Sequence, residues 1–99
     1  MGLKKNKISG STRVLLVDST STTNVGMLSI FNIHSTDSVN VDLYLHDGSD
    51  NYYIFKNLNI PTGAGLVLSG GEITFPKSTH DLYIKLSASD SAVDVLIRN

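Results

Sequence analysis

The side chains with the strongest claim on metal or acid–base chemistry are His34, His46 and His80 and nine scattered carboxylates, and their spacing suits neither use. No histidine has a partner in an H-x-H or H-x-x-x-H arrangement, and the chain has no cysteine, so a zinc site would need unrelated segments to converge. Asp47, Asp50 and Asn51 put oxygen ligands on one short stretch. They lack the D-x-[DN]-x-[DN]-G spacing of a calcium loop, and a turn through Gly48 explains them. A carboxylate pair for glycoside hydrolysis would have to come from Asp42, Asp47, Glu72, Asp81 and Asp94, most of which fall at turns or on polar faces. No nucleophile elbow, phosphate loop or dinucleotide fingerprint occurs. The residues therefore predict a protein that is not an enzyme, uses no metal or cofactor, and works through its surface.

Two features of that surface stand out. Tyr52, Tyr53 and Phe55 put aromatic rings on both faces of one extended segment, and only one face of a strand can enter a two-layer core. The other must meet solvent or a partner, and Tyr is a residue that protein interfaces favour. Tyr44 and Tyr83, outward by alternation, extend the same patch. The second feature is charge. The chain is near neutral, with eight basic and nine acidic residues, but Lys4, Lys5 and Lys7 lie together at the start. The N-terminus is basic and the rest acidic.

Residues 1–12 are expected to form an extended basic arm and residues 13–99 one domain. The arm has too little apolar content to build a core. Leu3 and Ile8 are spaced to plug small pockets on a neighbouring subunit while Lys4, Lys5 and Lys7 meet its carboxylates. Three lysines without arginine or interleaved aromatics make a poor phosphate footprint, so no nucleic acid is expected. Ile8-Ser9-Gly10-Ser11-Thr12 holds no signal-peptide core, and no run reaches membrane-spanning length, so no membrane partner is expected either.

The elements that must carry these residues are strands. Val39 to His46 alternates without a break, Asp47-Gly48-Ser49-Asp50 turns the chain, and Tyr52 to Leu58 returns. Val14 to Val17 is an apolar run, and Ser19 to Asn24 a polar loop after it. The segment from Val25 to about Ser35 is apolar on both faces, which fits a central strand or one covered by another subunit. Ile60-Pro61-Thr62-Gly63-Ala64-Gly65 is a corner, followed by Leu66 to Leu68, a turn at Ser69-Gly70-Gly71, and a short strand at Ile73-Thr74-Phe75 halted by Pro76. Asp81 to Ala88 and Val93 to Ile97 form a last pair around Ser89-Asp90-Ser91. The expected architecture is all-β: a two-sheet antiparallel sandwich of about eight short strands, with jelly-roll connections or an open barrel as variants. Val39, Val41, Leu43, Leu45, Leu82, Ile84, Leu86, Val93, Val95 and Ile97 should share its core.

Three of these pieces in order, Val41 to Ile54 with its DG turn and tyrosine-bearing partner, the corner Asn59 to Leu68, and Leu82-Tyr83-Ile84-Lys85-Leu86-Ser87-Ala88-Ser89, resemble small β-sandwich virion proteins of tailed bacteriophages. The likeness spans roughly residues 25–98. The chain departs from that pattern at Thr62 and Ala64-Gly65 in the corner and in its lysine-bearing start. The resemblance implies a structural role in the virion, as a capsid decoration or cement protein on the outer capsid surface, bound to the major coat protein and to copies of itself. A neck or tail position, or a glycan- or receptor-binding module on a fibre, is the alternative.

Overall fold

The computed structural model describes residues 3–17, 26–69, 80–88 and 91–98, and for Leu3 and Lys4 the backbone alone. Eight strands make up the described chain: β1 (Leu3–Ser9), β2 (Val14–Val17), β3 (Met27–Asn32), β4 (Val39–His46), β5 (Asn51–Ile60), β6 (Gly65–Ser69), β7 (Asp81–Leu86) and β8 (Ala92–Arg98). They form two four-stranded antiparallel sheets, sheet A in the order β1-β8-β3-β6 and sheet B in the order β2-β7-β4-β5. There is no helix among the described residues.

The pairing has a simple logic. First strand meets last, second meets second-last, and so on inward to β4 with β5, as in one long hairpin whose tip is the turn at Asp47–Asp50. The additional pairs β3·β8 and β4·β7 roll that hairpin into two layers. This is jelly-roll connectivity, one of the two variants left open by the sequence. Its corners use the expected chemistry. At residues 61–64 the chain passes from sheet B to sheet A, with Gly63 at φ 75° and the Ala64 amide donating to the Pro61 carbonyl at 3.1 Å.

The core fills the space between the sheets by alternation, except where an irregularity in β2 buries both Leu16 and Val17 and where β5 bulges. Nine of the ten residues expected there are buried, and Leu45 packs against them from a half-buried position. Ile8, Leu16, Val17, Leu28, Ile30, Ile60 and Leu68 join them. Each fully buried aliphatic side chain contributes roughly 1.5–3 kcal/mol relative to an exposed one. The expected loop at Ser19–Asn24, the turn and strand at residues 70–76, and most of the Ser89–Ser91 turn lie outside the described residues.

One expectation is corrected. Residues 3–9 are not an arm extending from the sandwich but the edge strand of sheet A, paired with β8 from Leu3↔Arg98 to Ser9↔Ala92. Ile8 is not available to plug a neighbour's pocket, because it is 4% exposed and sits in the chain's own core opposite Val93. The reason is that an edge strand needs few apolar residues. Backbone hydrogen bonds to β8 hold it, one inward isoleucine anchors it, and outward lysines suit a sheet edge by discouraging further pairing.

Candidate functional site

The histidines serve turns and faces. The His34 Nδ1 accepts the amides of Thr36 (3.2 Å) and Asp37 (3.0 Å), which closes the turn after β3. His46 is tied to the Asn51 side chain at 2.8 Å across the hairpin end and stands edge-on to Tyr83, and His80 stands edge-on to Tyr52. The Asp47 carboxylate caps its own turn, its Oδ1 accepting the amides of Asp50 (2.9 Å) and Ser49 (3.0 Å). Those two donors, Asp50 first, lower its pKa from 3.8 to about 2. Gly48 permits the turn with φ 103°. Among the described residues, no three His, Asp or Glu side chains are grouped as metal ligands.

Two surfaces remain, one on each sheet. On sheet B the register sets side chains in rows across the strands. The middle row is Leu15, Tyr83, Tyr44 and Tyr53, one residue from each strand. Tyr44 is almost enclosed at 4% exposure, with Tyr83 stacked on one side (centroids 5.7 Å apart) and Tyr53 tilted on the other (5.2 Å). The outer rings are covered by cations, Arg13 over Tyr83 and Lys56 over Tyr53, each 4.4 Å from the ring centroid. Below this row Asp42 faces Lys85 in register, and above it His46 faces Asp81. An open groove of about 510 Å³ runs along the lower row between Arg13, Asp42, Lys56 and Lys85.

The edge strand β5 makes that arrangement through two irregularities in its pairing with β4. At one of them Asn57 takes φ 55° and donates its amide to the Asp42 Oδ1 at 2.8 Å. Such bulges re-aim side chains and blunt an edge. They also separate residues that simple alternation would group: Tyr53 joins the outer row, Phe55 packs against the core, and Tyr52 lies opposite Leu45 near the hairpin tip.

The outer face of sheet A is different in character. Lys5 and Lys7 stand on its β1 edge opposite Leu96 and Asp94, with Lys7 Nζ 3.1 Å from the Asp94 Oδ1. Further across, Phe31 is 44% and Val67 61% exposed, and Ile33 is exposed just past the end of β3. β3 is thus a central strand by hydrogen bonding, yet its second face is left open. Phe31 lies against Gly65, where an added Cβ would come within 3.0 Å of its Cδ1 and of the Ile30 carbonyl oxygen.

Of the eight residues expected at an interface, Lys5, Lys7, Tyr52 and Tyr53 have exposed side chains. Leu3 and Lys4 lie on β1 as backbone, and Ile8 and Phe55 belong to the interior. Arg13, Asp42 and Lys85 were missed as members of the tyrosine face. The alternation of Asp42 with Tyr44 and of Tyr83 with Lys85 was the available signal, but pairing of β7 with β4 had to be known to use it. No protein-family model matches this chain, and no curated protein does.

Proposed function

We propose that this chain is a non-enzymatic structural protein of a phage particle, a capsid decoration or cement protein that binds the shell of the major coat protein. The contact is made from the β1 side of the molecule and the outer face of sheet A. The observation that carries this reading is the composition of that face, where exposed Lys5 and Lys7 share one sheet surface with exposed Phe31 and Val67. Lysines steer approach to an acidic surface, and exposed apolar area supplies binding once they meet. The likeness of residues 25–98 to small virion proteins of tailed phages supplies the identity of the partner. A neck or tail position would use the same face.

A glycan- or receptor-binding module on a fibre is the second reading, favoured by the tyrosines of sheet B. It is weaker because Arg13 and Lys56 already cover the rings of Tyr83 and Tyr53, on which a sugar would stack. Co-sedimentation of the purified chain with assembled coat shells distinguishes the two. Shell binding at low salt, weakened by added salt and by the double substitution K5E/K7E, is the expected result. A chain that never pellets with shells, while binding immobilised glycans, would replace the first reading with the second.

A further inference from the structure

We infer that the outer face of sheet B is the interface of a two-fold dimer, its partner a second copy of this chain. The face is charged in a self-complementary way. Along β4 the outward residues run Asp42, Tyr44, His46, and along the antiparallel β7 they run Lys85, Tyr83, Asp81 in the same rows. The tyrosine row therefore has Lys85 below it and Asp81 above it, with Asp42 below and His46 above on the neighbouring strand. A two-fold axis laid along the tyrosine row turns a second copy over so that its upper row covers the first copy's lower row. Lys85 then meets the partner's Asp81, Asp42 meets the partner's His46, and each contact occurs twice, as an isologous interface requires. Lys56, at the β5 end of the lower row, comes to lie near the partner's hairpin tip with Asp50.

Three further observations favour this occupant over any other. Among the described residues, Arg13, Lys56 and Lys85 have no ion-pair partner within the chain, so the lower row offers unpaired positive charge. The centre of the face is the kind of aromatic cluster that anchors interfaces, with exposed Leu15 and Tyr53 at its two ends. The molecule measures 38 × 31 × 19 Å, so a broad face exceeds the ~800 Å² per partner of a standard interface. The arrangement also suits shell binding. The four-residue link from Ser9 to Val14 keeps β1 and β2 on one side of the sandwich. An axis along the row brings the β1 edges of both copies to that same side. The dimer itself does not depend on the shell.

Sedimentation velocity of the full chain across a range of concentrations tests this. The expected result is a monomer–dimer equilibrium that K85D and D81K each weaken by at least about tenfold. An equimolar mixture of the two variants should regain the dimer, because their opposed rows again carry opposite charges. Thermal melts of each variant confirm folding, and Lys85 is exposed, so K85D alone keeps the test informative. A chain that stays monomeric at low salt, a dimer indifferent to both variants, or one lost only on F31S would overturn the inference.

Discussion

Asn32 shows how one polar side chain can hold a fold together at a point where pattern reading sees only the end of an apolar strand. Fully buried, it donates from Nδ2 to the carbonyls of Ile60 (2.9 Å) and Asp37 (3.0 Å) and accepts the His34 amide at 2.9 Å. It thereby ties the end of β3, the following turn and the end of β5 to one another. Asn32→Ala should cost about 2–4 kcal/mol, since three backbone groups lose their partner and buried ones are expensive to leave unpaired, and a fall in the urea midpoint reads this directly. Asp47 makes a different prediction. Its folded pKa lies below the unfolded one, so its contribution to stability is complete above about pH 4 and disappears as the pH falls towards 2. Melting temperatures between pH 5 and pH 2 should fall less steeply in D47N than in the natural chain. An equal slope would mean that the turn persists in the unfolded state.

The strand β1 is the element whose role changes most between sequence and structure. As a free arm it could be removed without harm; as an edge strand it cannot. Deleting residues 2–10 takes Ile8 from the core and removes the outer of β8's two partners along Ala92–Arg98, leaving β8 as the sheet edge beside β3. The loss of Ile8 burial alone is worth roughly 1.5–3 kcal/mol, and an unprotected β8 edge invites aggregation. The truncated chain should melt well below the full one and form larger species on size exclusion. An unchanged melting temperature would return these residues to the status of an arm. Within β1, Asn6 points toward the core opposite Val95, and its Nδ2 is buried without a hydrogen-bond partner. Asn6→Val removes that unpaired donor and suits a strand, so it should raise stability by about 1 kcal/mol.

For the molecule as a whole, the jelly roll makes most contacts distant ones in sequence. The first described strand pairs with the last, and among the described residues the β4–β5 hairpin is the only pairing between consecutive strands. Closing such long loops before their contacts form is slow, so refolding from urea should take milliseconds to seconds, as in other all-β sandwiches. Stopped-flow dilution measures this. Folding in tens of microseconds would show that a local element nucleates the fold. At the same level, the two broad faces differ in character: sheet A carries lysines and exposed aliphatic and aromatic side chains, and sheet B carries opposed charges about a tyrosine row.

What the amino-acid sequence determined by itself was the position of seven of the eight described strands, β2 to β8, and, in β4, β7 and β8, the side that turns inward. Val39 to His46, Leu82 to Leu86 and Val93 to Ile97 carry that information locally, because a period of two in side-chain polarity needs no knowledge of any neighbour. The turns at Asp47–Asp50 and Pro61–Ala64 were equally legible from Gly and Pro chemistry. The tertiary structure alone decided which strands lie side by side. That choice made residues 3–9 a strand, because β8 stood ready to pair with them. It gathered Tyr44, Tyr53 and Tyr83 into one row and, through the bulges of β5, sent Phe55 inward and Tyr53 outward. Sheet pairing is made by backbone groups that every residue carries alike, so it leaves little mark on side-chain composition, whereas burial leaves a strong one.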